Sequence, residues 1–551
     1  MIKLKKFLAT VFAVLSACIF LLPITACGGN AETVVLRVCS WEEYIDLGDW
    51  DEEDRIEIDN PFATDGENGV FGVNPIVEDF IEWFNDNHDY KVTVEYSTFG
   101  TNEDLYNRLS LGDVYDLVCP SDYMLMKLIA EDNYVSYSDE FWDLENKNNY
   151  YANYVSRYID GENEGVFNNP EYNWHKKAAC YMWGTTGLVY NPDKIDAADV
   201  SSWDLLLNDK YKRQVTIKDN VRDAYFATLG IINKENLTDA EIDAKTRSNI
   251  LNATDPATIA KAQETLKSIK ENVYSFETDS GKSDMVTGKV LANYQWSGDA
   301  VAIMDNAESD KISPTELWYS VPDECTNLWF DGWLMLKTGI DGNNQKQTAA
   351  EAFVNFLSRP DNAIRNMNYI GYSSAIADQT VFDYMEYNYG ITLDHTDEEY
   401  FDESITDVYK YNLDYLFGEG HSLYIDANVL DFNAENIIPE FEKLGLEDYG
   451  NETIYKVYSG AEINRGRQLF AQYPPQNVIN RSVIMLDFGE KLSEINQMWI
   501  NVRCLDLMDI SPVTTGIVFA VVAVLAIAIC LYIFRYRLFI KNKPKTGFEK
   551  V

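Results

Sequence analysis

Short apolar runs alternate with segments of helical spacing through the first part of the chain. Val34 to Val38 reads as a buried strand, Val92 to Tyr96 as a second, and Asp116-Leu117-Val118-Cys119 as a third that stops at Pro120. Between them, Ile76, Phe80, Ile81 and Phe84 recur at helical spacing across Pro75 to Asn85, and Glu103 to Ser110 reads as another helix. Strands alternating with helices predict an α/β fold with parallel pairing, in which ligand contacts gather at the carboxyl ends of the strands. Trp41 and Ser121-Asp122-Tyr123 both follow such ends.

The intervening stretches are polar. Gly48 to Asn74 is acidic and glycine-bearing and reads as a surface loop, and Asp143 to His175 reads as a long excursion with weak periodicity. Further on, Ala178 to Trp183 and Gly187 to Tyr190 read as two strands separated by Gly184-Thr185-Thr186. Ala257 to Asn272 and Gln347 to Leu357 are amphipathic helices. Thr380 to Tyr455 is acidic, tyrosine-rich and without clear period, and Asp487 to Val502 resumes helical spacing.

The two ends of the chain add membrane-directed signals. Lys3, Lys5 and Lys6 precede an apolar run from Phe7 to Leu22, the pattern of an export signal. Ile24-Thr25-Ala26-Cys27-Gly28 resembles a bacterial lipobox, which implies removal of residues 1–26 and lipidation of Cys27. Gly516 to Phe534 carries no charge over 19 residues, enough for a helix to cross a hydrocarbon core of about 30 Å. Arg535, Arg537, Lys541, Lys543, Lys545 and Lys550 follow it against Glu549 alone. A transmembrane helix over 512–535 with a cytoplasmic tail at 536–551 is therefore expected. The expected location is the extracytoplasmic face of a cell membrane, on a Gram-positive-type surface or else in a periplasm.

Composition narrows the function. The 551 residues are 46% hydrophobic and 13% aromatic, enough for two or more domains. A formal net charge of −44 argues against nucleic-acid binding, which calls for a basic face. Outside the termini and the 516–534 run, Cys39, Cys119, Cys180, Cys325 and Cys504 form neither a CxxC nor a Cys/His metal spacing, and the four histidines are scattered. The cysteines read as buried thiols. No metal or other cofactor is expected.

Three segments pair tryptophans with carboxylates: Ser40-Trp41-Glu42-Glu43-Tyr44, Trp296-Ser297-Gly298-Asp299 and Leu328-Trp329-Phe330-Asp331. Aromatic faces attract ammonium groups and cover methylenes, and carboxylates accept charge-assisted hydrogen bonds from amines. The combination suits an organic cation with an apolar body.

These segments also stand in a recognisable order. With Tyr115-Asp116-Leu117-Val118-Cys119-Pro120-Ser121-Asp122-Tyr123, Trp183-Gly184-Thr185-Thr186-Gly187, Trp203-Asp204-Leu205-Leu206, Asp219-Asn220-Val221-Arg222-Asp223 and Ile370-Gly371-Tyr372, the chain resembles substrate-binding proteins of bacterial spermidine/putrescine ABC transporters. The resemblance runs from about residue 34 to 377, then faintly across 465–502.

It implies a two-lobed periplasmic-binding-protein-like fold with the ligand in the cleft. The lobes would comprise 31–183 with 331–378, and 184–330 with 379–507. It implies aromatic walls at Trp41, Tyr44, Tyr123, Trp296, Trp329 and Tyr372, and a hydrogen bond, donated or accepted, between Ser121 and an amine. Asp299 and Asp331 would share one terminal ammonium, and Asp223 with Glu43 would hold the other end. ABC permease and ATPase subunits would be the partners, and no catalysis is expected.

The chain departs from the spermidine pattern at Asn220, where an aspartate is usual. Asp299 fits the putrescine-type Trp-x-Gly-Asp, so putrescine is expected over spermidine. The same fold could instead hold thiamine or an amino-acid derivative. Ferric iron is disfavoured by the intervening tryptophans. A glycosidase using Asp299 and Asp331, and an adhesion or sensory ectodomain, are the remaining alternatives.

Overall fold

A computed structural model describes residues 33–63, 68–162, 165–309, 316–340, 342–394, 408–426, 442–444, 455–458, 466–504, 523–529 and 531–532. Ten strands frame the site: β1 (Thr33–Trp41), β2 (Lys91–Phe99), β3 (Leu117–Val118), β4 (Ala178–Tyr190), β5 (Val215–Lys218), β6 (Ser275–Glu277), β7 (Ala292–Trp296), β8 (Trp318–Ser320), β9 (Thr326–Met335) and β10 (Ser373–Ser374). Eight of them form a continuous path, β2-β1-β3-β9-β4-β7-β5-β6. At one end β1 runs parallel to β2, from Thr33 opposite Lys91 to Trp41 opposite Phe99, and parallel to β3. At the other end β5 runs parallel to both β6 and β7.

The middle of the path makes the protein two-lobed. β4 pairs antiparallel with β9 through Ala178–Thr185 and with β7 through Thr186–Tyr190. Its first half, with Ala178, Met182 and Trp183, packs into a core built on β1, β2, β3 and the helices Ile76–Asn87, Asn344–Leu357 and Pro360–Ile370. Its second half, with Leu188 and Tyr190, packs into a separate core with β5, β7 and the helices Val221–Ile232, Pro256–Asn272 and Leu492–Arg503. β4 and β9 therefore cross from one α/β lobe to the other. Every residue of both strands is buried.

The expected break at Gly184-Thr185-Thr186 is absent, and β4 is one 13-residue strand. Those residues are small because of what lies against them. A Cβ on Gly184 would stand 2.3 Å from Ser297 Oγ and 2.6 Å from Trp329 Cζ2. Glycine here admits a tryptophan ring beside the backbone rather than ending the strand.

The Gly48–Asn74 loop is also less superficial than its composition implies. Ile56, Ile58 and Val70 are buried, and Ile56 bridges Val70. Asp46, just before it, is fully buried against Arg365 at 2.6 Å. The poorly periodic region after 379 begins with a helix, Gln379–Tyr389, and contains short antiparallel strands, among them Val408–Asn412 with Ser422–Asp426.

The C-terminal transmembrane helix is corrected. Among the described residues no helix is long and apolar enough to cross a membrane. Of the run Gly516–Phe534, only 523–529 and 531–532 are described, as exposed helix. The signal segment and Cys27 lie outside the described residues. The described cysteines Cys39, Cys119, Cys180 and Cys325 are free and buried, and Cys504 is free and exposed.

Candidate functional site

Strand ends on both lobes converge on one cleft. β1 ends at Trp41 and turns through Glu43, whose φ of 52° is left-handed. The turn leaves Glu42 and Glu43 exposed and sends Tyr44 inward. After β3, Ser121 stands at the N-cap position of the helix Asp122–Ala130 without a side-chain capping hydrogen bond. From the other lobe, β5 ends at Lys218 and is followed by the helix Val221–Ile232, while β7 ends at Trp296 and runs directly into the helix Ser297–Ser309. β9 supplies Trp329 and Asp331 from the crossing.

One cluster forms around Asp331. Tyr44 Oη donates to Asp331 Oδ2 at 2.7 Å, and Ser121 lies opposite Asp331 in an isolated antiparallel bridge. The Tyr372 ring stands edge-on to Tyr44 at 5.6 Å and to Trp329 at 5.2 Å. Trp329 is fixed by its indole nitrogen, which donates to the Thr185 carbonyl at 3.2 Å.

Asp331 is 5% exposed, and its Oδ1 has no hydrogen-bond partner among the described residues. Burial pushes its carboxyl up to about 6, against the hydrogen bond from Tyr44 and the weaker pull of the nearby Ser121 hydroxyl. A desolvated carboxylate with a free acceptor, walled by three aromatic rings, has the chemistry to receive an ammonium group.

A second cluster forms around Asp223, in the first turn of Val221–Ile232. Asn220 caps that helix by accepting from Arg222 N and Asp223 N, and its amide donates to Asp223 Oδ2 at 2.6 Å. Burial raises Asp223 to about 6, opposed by Lys218, the Trp296 indole, Arg222 and Asn220. Lys218 Nζ sits 4.0 Å from the centre of the Trp296 ring.

Asp299 lies between the clusters. Tyr372 is hydrogen-bonded to it and feels the charge of both Asp299 and Asp331. Lys282 Nζ stands 2.9 Å from Asp299 Oδ1. Burial draws the Lys282 ammonium down, but the charge and hydrogen bond of Asp299 lead the opposing pulls that leave it raised.

The remaining expected residues are at the rim or engaged locally. Trp41 packs on Phe99 at 4.7 Å. Tyr123 accepts from Asn102 at 2.9 Å and donates to Glu103 at 3.2 Å, with the Arg222 guanidinium 5.4 Å from its ring centre. Glu43 reaches the cluster only through its field on Lys282. Asp299 and Asp331 thus face a common tyrosine, but Asp299 already has an ammonium partner from the chain.

Sequence reasoning passed over four groups. Asp122 is buried beside Asp331, and burial holds its carboxyl well above the ordinary range. Arg222 is buried, with Nε and Nη2 unpartnered among the described residues. Lys218 and Lys282 bring positive charge into an acidic cleft. The signal for Lys218 was a lone charge closing the apolar run Val215-Thr216-Ile217. Among the described residues no group of His, Cys, Asp and Glu could hold a metal ion.

The pattern of bacterial extracellular solute-binding proteins matches residues 79–380. The spermidine/putrescine-binding periplasmic protein of Salmonella typhimurium is 27% identical over 283 residues, spanning 51% of this chain and 70% of the relative. The putrescine-binding periplasmic protein of Pseudomonas aeruginosa is 29% identical over 300 residues, 52% of this chain and 71% of that protein. A solved structure from Listeria monocytogenes, described as a spermidine/putrescine ABC transporter, superposes with a TM-score of 0.50 at 18% identity. It covers 85% of this chain and 98% of its own, and at that identity the likeness concerns the fold.

Proposed function

The chain belongs to the bacterial extracellular solute-binding proteins, and from that premise we propose that its cleft captures a polyamine, putrescine in preference to spermidine, for delivery to an ABC permease. The family binds solutes rather than transforming them, so the two carboxylates Asp299 and Asp331 are not a glycosidase pair. The observation that carries the reading is Asp331: a buried carboxylate with an open oxygen, inside a wall of Tyr44, Trp329 and Tyr372.

A diamine leaving water loses hydration at two charges, a cost that only paired carboxylates offset. Asp331, with Tyr44 and Ser121, receives one ammonium. Asp299 and Asp223 serve the other end, and the aromatic rings cover the methylene stem. β4 and β9 are the crossing segments about which the lobes open to load and release. The relatives named for spermidine and putrescine support the ligand class.

Calorimetric titration of the full chain with putrescine, spermidine, spermine and thiamine tests the proposal. Saturable binding of putrescine, tighter than that of the others, is expected. Thiamine binding without polyamine binding would overturn it.

A further inference from the structure

A cleft built for ammonium groups already contains one that cannot leave. Lys218 is the last residue of β5, and its side chain is fully buried. Its ammonium donates to the Thr278 carbonyl at 3.0 Å and lies on the face of Trp296 at 4.0 Å. Burial draws the Lys218 ammonium below its usual range; the carboxylates of Asp299, Glu277 and Asp223 oppose that fall, and the like charge of Lys282 adds to it.

Glu277 is held in turn, accepting from Gly281 N at 2.8 Å and from Asn293 Nδ2 at 2.9 Å. These contacts fix both the cation and its counter-charges. Lys282 differs: its side chain is 34% exposed, and it divides itself between Asp299 at 2.9 Å and Asp279 at 3.6 Å. An entering amine can displace Lys282 into solvent, but it cannot displace Lys218.

Resting on the polyamine reading above, we propose that Lys218 is the specificity-determining residue of the cleft. It is a built-in ammonium on the Trp296 face, and it restricts the ligand to a diamine. One ligand ammonium takes Asp331. The second takes Asp299 as Lys282 withdraws. A third has no aromatic face left at Trp296 and meets the Lys218 charge in a desolvated site, where like charges repel strongly.

The test is titration of the full-length wild type, Lys218→Met and Lys218→Thr with putrescine and with spermidine. Methionine keeps the stem and removes the charge. Threonine serves as a second variant should the first not fold, with thermal unfolding reporting the fold of each. The wild type is expected to bind putrescine at least tenfold tighter than spermidine. In either variant that ratio should move at least tenfold towards spermidine.

An unchanged ratio in a folded variant that still binds putrescine overturns the inference. So does a wild-type preference for spermidine, with no variant needed. A residue important only for folding would change both affinities together and leave their ratio in place, which also counts against it. Failure of the wild type to bind either amine overturns the polyamine reading, and this inference with it.

Discussion

Asp331→Asn separates a ligand-binding acid from a structural one, because the two roles predict opposite signs for stability and affinity. The carboxyl rises from an ordinary 3.8 to about 6, chiefly through burial. A group raised by about 2 units disfavours the folded state by about 3 kcal/mol once pH is above both values. Asparagine removes that penalty and can still accept from Tyr44. It also places an amide where Asp331 Oδ1 has no partner, which returns roughly 1 kcal/mol as an unsatisfied donor.

The ligand-free variant should therefore be more stable than the wild type by about 2 kcal/mol at pH 8. The burial penalty is complete above the folded value of about 6 and vanishes below 3.8, so at pH 5 it has fallen to roughly half. Putrescine affinity should move the other way. Removing one member of a desolvated charge pair costs about 2 kcal/mol or more, at least about a 30-fold rise in Kd. Denaturant unfolding at pH 8 and pH 5, paired with calorimetry at pH 8, reads both effects. A variant that is destabilised and binds as tightly as before would refute the assignment.

Ligand affinity should be flat between pH 7 and 8 and fall below pH 6, because Asp331 and Asp223, both raised to about 6, must lose protons to pair with ammonium groups. The fall is up to about tenfold per pH unit for each carboxyl, and a pH series of titrations measures it. Gly298→Ala should weaken binding about tenfold and cost about 1–3 kcal/mol of stability, since a Cβ there would stand 2.1 Å from Tyr372 Cδ1 and force the ring from its place; unaltered unfolding and affinity would contradict this. Asn220→Asp should preserve the helix cap but set two carboxylates where an amide now donates to Asp223 at 2.6 Å. It should lower apo stability at pH 8 by about 1–3 kcal/mol and raise relative affinity for spermidine, as unfolding curves and competition binding would register.

The local pattern alone determined several elements of the first lobe. The strands Thr33–Trp41 and Lys91–Phe99 and the helix Ile76–Asn87 follow from the periodicity of Val34–Val38, Val92–Tyr96 and Ile76–Phe84, because burial of one face is a property of neighbours within a turn or two. The aromatic and acidic landmarks were legible as well, since each is a contiguous run of a few residues, whether it ends a strand, as at Trp41 and Trp296, or lies within one, as at Trp329 and Asp331. What the tertiary structure decided is which charges meet. Asp331 finds Tyr44 across 287 positions of sequence, and Lys282 finds Asp299 from a different helix. Lys218 reaches the Trp296 face only because β5 and β7 lie parallel in one sheet. The small residues of Gly184-Thr185-Thr186 read as a break because sequence shows only the missing side chain at Gly184, whereas the fold supplies the Trp329 ring that fills its place. Electrostatic pairing depends on distances of a few ångströms between residues far apart in the chain. The positive half of this acidic cleft therefore emerged only from the folded protein.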